Sequence, residues 1–400
     1  MRLSRLSAFL VPLFASPALA APGEVTAPPL PVAIQAAPVM GGSAVPEGRW
    51  RDATAVLFDG QQGCTGVLIA PTVVMTAAHC IDSSLDAVLI GTNSLARPSA
   101  GETITVSRRL TFPGGAYDVA IVILSQPSTI EPRLLATGWV QSDIVNGARV
   151  AFVGYGAVDR DANDYIDAMQ EAESTVTDAG CTAHQGCDPA TRPNGEIGAG
   201  GAGIDTCPGD SGGPMYLLTE YGAFLNGITS RGYDNNQFQC SEGGIYTRPD
   251  KANIVAWVEQ QAGVVLPDGR GPKADKLFVQ PGGERSIAVD ANDPRTGRTY
   301  TWEIVTPPAH GTATIAADGT LTVVAAADYL GPDAVVVRAI DATDPTRSAK
   351  GRIEVEVVDD LPDDDGGGCC QAGGARGHAA STLLVLGALL RRRRRRTIAA

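Results

Sequence analysis

The sequence predicts an all-β fold, and three observations lead to that class. Between Val39 and about Leu266, apolar runs of strand length are separated by turns rich in Gly and Pro. No helical pattern alternates with these runs, so a barrel or a sandwich is favoured over a parallel α/β sheet. Residues 274–358 then repeat the pattern with further short runs, which is typical of a small β-sandwich.

Strand-like runs in the first region are bounded by turn residues on both sides. The clearest are residues 53–58, 65–69, 119–124, 150–153, 215–218 and 224–228. One helix is expected at Lys251–Gln261, because Ile254, Val255, Trp257 and Val258 recur at helical spacing on one face.

The second region follows a segment, residues 267–273, whose Pro and Gly content predicts a linker. The expected strands are residues 277–279, 286–289, 300–305, 312–315, 320–324, 334–339 and 353–358. This count favours a sandwich, and the region contains no cysteine and no obvious pair of nucleophile and base.

Length and charge narrow the possible functions of the chain. Its 400 residues are enough for two domains with sizeable cores. The formal net charge is −13, which argues against nucleic acid as a partner because phosphate binding needs a basic surface. Aromatic residues make up 5% of the chain, so the cores must be mainly aliphatic.

The first 20 residues have the layout of a signal peptide. Arg2 and Arg5 precede an apolar run, and Ala18-Leu19-Ala20 is a small-x-small cleavage site. The alternative is a membrane anchor, but the run is shorter than the roughly 20 apolar residues that span a bilayer. We therefore expect export, followed by an unstructured pro-segment at residues 21–38 that is rich in Pro and Ala.

Cysteine usage agrees with an oxidising compartment. An even number suited to three disulfides falls in the first region, namely Cys64, Cys80, Cys181, Cys187, Cys207 and Cys240. Metal binding is the alternative, but paired C-x-x-C spacing is missing and the chain has 4 histidines. We expect no cofactor and no metal.

Gly209-Asp210-Ser211-Gly212-Gly213-Pro214 is the strongest chemical signal in the sequence. A serine hydroxyl needs a base to take its proton and donors to hold the oxyanion. Glycines allow main-chain N–H groups to converge beside the serine, and the expected donors are the amides of Gly209 and Ser211. The alternative is an ordinary Gly-rich loop.

The base must be a histidine, and elimination favours His79 in Thr76-Ala77-Ala78-His79-Cys80. His378 lies in the tail, His310 lies in the second region, and His184 lies between two cysteines. The alternative for His79 is a structural histidine beside a disulfide.

An acid is needed to orient the imidazole of such a base. Asp118 begins the apolar run Asp118-Val119-Ala120-Ile121-Val122-Ile123-Leu124, where a carboxylate is costly unless it has a partner. The alternative is a cap at the start of a strand. The chain order His, Asp, Ser separates this triad from those of other hydrolase folds.

These strings together make residues from Val39 to about Gln261 resemble a trypsin-like (chymotrypsin-fold) peptidase. Gly154-Tyr155-Gly156 also matches a strand motif of that family. The resemblance implies two packed six-stranded β-barrels, with the active site in the cleft between them. It covers a little over half of the chain and implies a serine endopeptidase with His79, Asp118 and Ser211 as its triad.

The resemblance also implies a specificity pocket. Asp205 matches its floor, and Gly232 and Gly244 match its walls, so cleavage after Arg or Lys is expected. The alternative for Asp205 is a surface-loop acid. Ser230 and Gly232 flank Arg231 in the segment that pairs with substrate, where such families usually carry Trp in place of Arg231. We expect Arg231 either to favour acidic substrate side chains or to shield Asp205 in part.

Activation is implied in the same way. Val39-Met40-Gly41-Gly42 resembles the start of a mature enzyme, whose freed amino group would pair with Asp210. The bond cut would be Pro38-Val39, which is not a tryptic site, so another activating peptidase is expected.

Disulfide pairing follows partly from the family. Cys64–Cys80 and Cys207–Cys240 are the pairs that the resemblance implies. Gly198 occupies the position of the usual partner of Cys181, so Cys181–Cys187 is expected in its place.

Two segments of the second region, Pro307-Pro308-Ala309-His310-Gly311-Thr312-Ala313 and Ala327-Asp328-Tyr329-Leu330-Gly331-Pro332-Asp333, are characteristic. They make residues 274–358 loosely resemble cadherin-like or immunoglobulin-like bacterial modules. Such modules act as spacers or bind proteins or glycans, and a spacer is favoured here. Some bind calcium, but no loop shows a full set of oxygen ligands.

Residues 359–400 change character again. They resemble tripartite C-terminal sorting signals of the myxobacterial type, with Cys369 and Cys370 after a glycine run, a short apolar stretch and six arginines. We expect processing near Cys369, a lipid anchor and attachment at the outer cell surface. A nucleic-acid patch is the alternative for residues 391–396, but it does not suit the end of an exported acidic protein.

The sequence therefore predicts a secreted or cell-surface endopeptidase that acts on proteins or peptides. The alternative is a surface adhesin or catalytically weak homologue that binds through its sandwich, although none of the triad residues is lost. A lipase or esterase would require a different order of triad residues and an α/β pattern.

Overall fold

The structure is a computed structural model that describes residues 39–115, 117–187 and 195–362 of the chain. The expected signal peptide (residues 1–20), the pro-segment (21–38) and the tail cysteines Cys369 and Cys370 lie outside the described residues.

Seven strands make up the first part of the fold. They are β1 (Ser43–Ala44), β2 (Ala53–Phe58), β3 (Gln61–Ala70), β4 (Val73–Thr76), β5 (Leu85–Ile90), β6 (Glu102–Thr111) and β7 (Ala120–Leu124). The last six close into an antiparallel barrel in the order β2-β3-β4-β7-β6-β5. Because β2 pairs with both β3 and β5, this barrel has no open edge.

A second barrel follows along the chain. Its region contains β8 (Leu135–Gly138), β9 (Arg149–Gly154), β10 (Gln170–Asp178), β11 (Glu196–Ala199), β12 (Pro214–Thr219), β13 (Gly222–Gly232), β14 (Gly244–Thr247) and β15 (Asp268–Arg270). The antiparallel order β12-β9-β10-β11-β14-β13 closes through pairing of β12 with β13. The all-β prediction, with two six-stranded barrels, is confirmed.

The main hydrophobic core extends from the first barrel into the second. β4 and β7 are almost wholly buried, which explains why their sequences are continuous apolar runs and do not alternate. Val74 and Ile121 belong to the same cluster as Tyr216, Leu225 and Ile228 of the second barrel. Burying one aliphatic side chain of this size contributes roughly 1.5–3 kcal/mol, so the shared core holds the barrels together.

One α-helix, α1 (Ala252–Ala262), follows β14 of the second barrel and lies one residue later than expected at each end. Ile254 and Val258 are fully buried, and Trp257 packs edge-to-face on Phe112 at 5.3 Å between ring centroids. The helix ends at Gly263, whose left-handed conformation (φ 68°) stops it. Within the described residues, no helix has the length and apolar character needed to cross a membrane.

The remaining strands form two sheets around a separate core. They are β16 (Leu277–Val279), β17 (Glu284–Ala288), β18 (Tyr300–Thr306), β19 (Gly311–Ile315), β20 (Thr320–Ala325), β21 (Gly331–Asp341) and β22 (Ser348–Val357). One sheet has the order β16-β22-β21-β18 and the other β17-β20-β19. Val279, Leu321, Val337 and Ile353 are buried in the shared core, as expected for a sandwich.

Residues 267–273, expected to be a linker from their composition, contain β15, which pairs with β8 beside the second barrel. The sandwich and the barrels belong to one compact unit. Trp139 is 1% exposed, and its Nε1 donates to the carbonyl oxygen of Ala291 in the sandwich at 2.8 Å. Asp268 Oδ2 accepts from the main-chain N–H of Lys350 at 2.6 Å. Composition cannot show these contacts, because they depend on partners far away in the sequence.

Candidate active site

The histidine expected to act as general base lies directly after β4. A single 3-10 turn carries His79, and Cys80 in that turn forms a disulfide with Cys64 of β3. The turn is thus held between a barrel strand on one side and a covalent bond on the other. His79 itself is about half exposed, with a side-chain exposure of 46%, so substrate can reach the imidazole.

Pairing between β4 and β7 brings Asp118 to the same end of the barrel as His79. Thr76 lies opposite Ala120, so His79 and Asp118 both lie just beyond this last pair. Nδ1 of His79 is 2.8 Å from Oδ2 of Asp118, and the main-chain N–H of His79 donates to Oδ1 at 3.0 Å. The hydroxyl of Ser230 donates to Oδ2 at 2.7 Å. The carboxylate is therefore oriented from both barrels.

These contacts shift the pKa of both groups in the directions that a base and its orienting acid need. The hydrogen bond to Asp118 raises the pKa of His79, partly against burial, which lowers it. Burial acts to raise the pKa of Asp118, but hydrogen bonds from His79 and Ser230 outweigh it and the pKa lies below its ordinary value. Asp118 thus stays ionised while His79 accepts a proton.

The turn that carries Ser211 is attached to both barrels. The carbonyl oxygen of Ser211 accepts from Thr65 N of β3 at 2.9 Å, and Gly212 N donates to Thr229 O of β13 at 2.8 Å. Gly212 has φ 79°, and a Cβ atom there would overlap the hydroxyl of Thr76. Only glycine allows the turn to approach the first barrel this closely, which explains that position of the motif.

The main chain of Ser211 lies close to the turn that carries His79. Sγ of Cys80, the neighbour of His79, lies 3.6 Å from the carbonyl oxygen of Ser211. Across the part of the chain that the structure describes, no hydrogen bond joins the Ser211 hydroxyl to the His79 ring. Such bonds often tighten only when substrate is bound. The structure therefore joins His79 to Asp118 directly, and the main chain of Ser211 contacts Cys80, the residue next to His79.

The two amides expected to bind the oxyanion have no protein acceptor within residues 39–115, 117–187 and 195–362. Gly209 has φ 97°, and its carbonyl oxygen accepts from Oγ1 of Thr65 at 2.9 Å and from Nε2 of Gln62 at 3.1 Å. The N–H groups of Gly209 and Ser211 are therefore available to an anionic oxygen.

Asp210 is a fully buried carboxyl behind the Ser211 turn. It accepts from Gly156 N at 2.7 Å and from Cys207 N at 2.9 Å. A Cβ atom at Gly156 would overlap this carboxyl, which accounts for the glycine there. Burial raises the pKa of Asp210 to about 7, and among the described residues no cation pairs with it.

Val39, the expected partner of Asp210, is 1% exposed and packs in the core of the second barrel. In the uncleaved chain its nitrogen is part of a peptide bond, so the expected ion pair is not formed in this state. The neighbouring residue, Met40, accepts a main-chain hydrogen bond from Asp205 at 3.1 Å. The segment that would carry the new N-terminus thus lies against the pocket-forming segment.

Asp205 is 2% exposed, so the reading of a surface-loop acid does not hold. It accepts from Gly243 N at 2.9 Å and from Thr206 N at 2.8 Å. Burial raises the pKa of Asp205 to about 6, and no Lys or Arg among the described residues pairs with it. Gly232 and Gly244 lie opposite each other in the pairing of β13 with β14, and Gly244 lies next to this carboxyl.

Arg231 is directed away from Asp205. Its Nη1 and Nη2 donate to the two carboxylate oxygens of Glu196 at 2.7 and 3.1 Å, and Nη2 also donates to Gly186 O at 2.6 Å. The expectation that Arg231 shields Asp205 is therefore wrong. Its charge is balanced by Glu196, which also removes the reason to expect a preference for acidic substrate side chains.

Two roles were missed from the sequence. Glu196 is 1% exposed at the start of a buried strand, and a lone acid in such a run signals a hidden cationic partner. Ser230, expected to contact substrate, has its hydroxyl on Asp118. No local pattern indicates that contact, because it crosses between the barrels.

The expectation of disulfide bonds is confirmed. The structure contains Cys64–Cys80, Cys181–Cys187 and Cys207–Cys240. These sulfurs are covalently paired, so they are not thiolate ligands for a metal.

Comparison with known families agrees with this geometry. The family model named Trypsin matches residues 39–258, more than half of the chain. The chain belongs to the trypsin family. Its peptidase domain is that of a serine endopeptidase, as the sequence strings predict. Residues 270–354 match the model of a bacterial Ig domain, which agrees with the expected sandwich.

Three relatives show how far the similarity extends. Human serine protease 56 is 32% identical over 56% of this chain, but the chain spans only 38% of that relative's length. Brachyurin of Leptuca pugilator is 28% identical, with 56% of this chain and 99% of the relative covered. Glucanase inhibitor protein 4 of Phytophthora infestans is 33% identical, with 44% and 71% covered.

Proposed function

We propose that this chain hydrolyses peptide bonds after Arg or Lys residues, with His79, Asp118 and Ser211 as its catalytic triad. The observation that carries the proposal is the hydrogen-bonded pair of His79 and Asp118 beside the Ser211 turn. The buried carboxyl of Asp205 supplies the specificity. The nucleophile Ser211 and the pocket for a Lys or Arg side chain would then share one cleft between the two barrels.

The proposed reaction follows from the placement of these groups. Nε2 of His79 takes the proton of Ser211 as Oγ attacks the scissile carbonyl carbon. The oxygen of the tetrahedral intermediate is held by the amides of Gly209 and Ser211. Asp118 keeps Nδ1 protonated and stabilises the imidazolium. His79 then gives its proton to the leaving amine, and water releases the acyl group from Ser211 by the same steps.

The preference for a cationic side chain rests on the state of Asp205. Burial without a cation raises its pKa to about 6, so its ionised form is costly in the empty pocket. An Arg or Lys side chain would remove that cost by pairing with the carboxylate. Gly232 and Gly244 carry no side chains that would obstruct the path to it.

Activation is proposed to occur by cleavage between Pro38 and Val39. The new amino group of Val39 would pair with Asp210, whose pKa of about 7 reflects a buried carboxyl without a cation among the described residues. Removal of one partner from such a buried ion pair would cost about 3–5 kcal/mol, because the other charge is left buried and unpaired, so the Ser211 turn would depend on both partners. Pro38 is not a tryptic site, so a different peptidase would cut there.

The proposed location is extracellular, with protein or peptide substrates. The signal-peptide pattern in the sequence of residues 1–20 supports export, and the three disulfides agree with an oxidising compartment. Processing near Cys369 would leave the enzyme on a lipid anchor at the outer surface. Mass spectrometry of native protein would show a shortened, lipid-modified C-terminus. An intact, unmodified tail would contradict the anchor.

The central experiment uses full-length protein with a cleavage site placed so that Val39 becomes the N-terminus. It should hydrolyse Arg- and Lys-ended chromogenic peptides, and the Ser211→Ala variant should not. Asp205→Ser should lower kcat/KM for these peptides by about 30-fold to several thousand-fold, the equivalent of 2–5 kcal/mol. Unchanged cleavage after Arg by Asp205→Ser would contradict the specificity.

A non-catalytic binding protein is the second candidate. The specific observation that favours it is the 33% identity to a relative named as a glucanase inhibitor. A surface adhesin that binds through the sandwich belongs to the same class. Binding would persist in Ser211→Ala, whereas hydrolysis would be absent from wild type as well.

A further inference from the structure

A line of hydrogen bonds leads from the catalytic pair into the second barrel. Ser230 Oγ is 2.7 Å from Oδ2 of Asp118 and 3.2 Å from Nη1 of Arg231. The same Nη1 is 2.7 Å from Oε1 of Glu196. One hydroxyl therefore lies between the acid that orients His79 and a guanidinium that is itself held by a buried carboxylate.

The chemistry of these groups sets the direction of every bond. A guanidinium has donors and no acceptor, so Ser230 Oγ must accept from Arg231. An ionised carboxylate only accepts, so the single O–H of Ser230 must point to Asp118. Arg231 therefore occupies an acceptor site of the Ser230 oxygen, which holds that oxygen in place and leaves its O–H directed at Asp118. The arginine thus selects the one rotamer of the Ser230 O–H that supports Asp118.

The position of Arg231 is itself well defined. Both of its terminal nitrogens bind Glu196, a bidentate geometry that holds the guanidinium plane. Nη2 also donates to the carbonyl oxygen of Gly186, in the loop closed by the Cys181–Cys187 disulfide. Ion pair and disulfide loop together leave the guanidinium little freedom next to the catalytic pair.

We infer that Arg231 is a positioning residue, which holds the Ser230 hydroxyl toward Asp118 while Glu196 balances its charge. This inference rests on the proposed catalytic role of His79, Asp118 and Ser211. Arg231 itself touches neither Asp118 nor His79, and acts on them through Ser230. The positive charge of Arg231 disfavours the imidazolium form of His79, whereas the negative charge of Glu196 favours it.

The first test is a double-mutant cycle in the activated full-length chain. Arg231→Met keeps an unbranched apolar stem but removes the guanidinium with its charge and its donors. It should lower kcat for an Arg-ended peptide by between about 10-fold and 100-fold, because Asp118 is less well oriented. In a Ser230→Ala background the same substitution should have no further effect on kcat. An equal loss in both backgrounds would overturn the inference.

The second test is the pH dependence of kcat/KM. Removal of the cation in Arg231→Met should move the acidic limb to higher pH by roughly half a unit or more. Glu196→Gln should move it to lower pH, and the double variant should return it close to wild type. A limb that stays in place in both single variants would overturn the inference. The remaining acids on the surrounding segments, Asp82, Asp205 and Asp210, are unchanged in every variant.

Arg231→Lys covers the case in which Arg231→Met does not fold. It keeps the charge but loses the bidentate geometry, so kcat should fall while the acidic limb stays in place. A fall in kcat that Ser230→Ala does not suppress would count against the inference here too. NMR titration of His79 in the Ser211→Ala background measures the same changes in the pKa of His79 without turnover of substrate. Lack of hydrolysis by wild type would defeat the proposed function, whereas unchanged titration would defeat only this inference.

Discussion

The two barrels differ in whether the acids that they contribute to the site already have a charged or hydrogen-bonded side-chain partner. The first barrel supplies His79 and Asp118, which already satisfy each other through a hydrogen bond of 2.8 Å. The second supplies Asp205 and Asp210, buried carboxyls whose pKa is raised to about 6 and about 7. Neither has a cation among the described residues. Under the proposed function, the proton-transfer pair is complete within the chain, whereas the pocket would gain its cation from substrate and the Ser211 turn would gain its cation from cleavage before Val39.

Desolvation explains why this difference matters. Burial without a cation makes each of these carboxyls harder to ionise than a carboxyl in water, so a cationic partner would offset part of that free-energy cost. For Asp205 the proposed partner is a substrate side chain, and for Asp210 it is the amino group of Val39. The second barrel also contacts the sandwich, because Trp139 binds Ala291 of the sandwich and β15, which precedes the sandwich, pairs with β8.

The largest expected effect is on kcat and comes from the His79–Asp118 pair of the first barrel. Asp118→Asn keeps the shape of the side chain but favours the wrong tautomer of His79, and kcat should fall by about 10⁴-fold. Steady-state kinetics of the activated chain measure this. The matched control is Asp82→Asn, the same change at an exposed acid on the same barrel, which should leave kcat close to wild type. A loss smaller than about 100-fold at Asp118 would mean that the pair is not the catalytic one.

Asp210→Asn should have opposite effects before and after cleavage. In the uncleaved chain the carboxyl has a folded pKa of about 7, raised from 3.8 by burial. The native state therefore binds more protons than the unfolded state between these values, and its stability should decline as pH rises through that range. Asparagine cannot ionise, so the stability of the uncleaved variant should not decline in this way. Above pH 7 the uncleaved variant should be more stable than the uncleaved wild type. Denaturant unfolding of both proteins against pH measures the effect.

After cleavage the same variant should be harmful. Loss of the proposed ion pair with Val39 would cost about 3–5 kcal/mol, and kcat/KM should fall accordingly. If Asp210→Asn destabilised the uncleaved and the activated protein equally, the proposal that Asp210 gains a cationic partner on cleavage would be contradicted.

Trp139→Ala tests whether the second barrel depends on the sandwich. The buried indole packs against Ala291, Ala339 and Ala349, and its loss should cost about 3–5 kcal/mol. Hydrogen exchange should rise in β8, β13 and β15 before it rises in β2 to β7. Trp257→Ala, at a partly buried tryptophan on α1, is the matched control. Uniform loss of protection across both barrels would show that the sandwich supports them equally.

The smallest expected effect is a change in substrate preference with pH. Protonation of His79 slows all substrates equally, so the ratio of kcat/KM for Arg-ended over Leu-ended peptides isolates Asp205. With a pKa of about 6, Asp205 is mostly neutral at pH 5, and the ratio should fall about tenfold between pH 7 and pH 5. In Asp205→Asn the ratio should be low and independent of pH. A constant ratio in wild type would mean that Asp205 does not bind the cation.

The sequence by itself determined the all-β class, most strand positions and the small set of residues that could perform catalysis. Alternation and turn residues are local signals, so β18 to β22 lie within a few residues of the expected runs. His79 followed from the scarcity of histidines, since the chemistry leaves few choices of base. The strings around His79 and Ser211 were informative because close packing of the turn admits only glycine at positions such as Gly212.

Only the tertiary structure decided which buried charges are paired. Arg231 lies in the segment next to the pocket, yet it binds Glu196, 35 positions away in the sequence, and leaves Asp205 without a cation among the described residues. Residues 267–273 were a linker by composition, yet β15 pairs with β8 and Trp139 is buried against the sandwich. Pairing and desolvation depend on distances between segments remote in sequence, and these distances exist only once the barrels have closed.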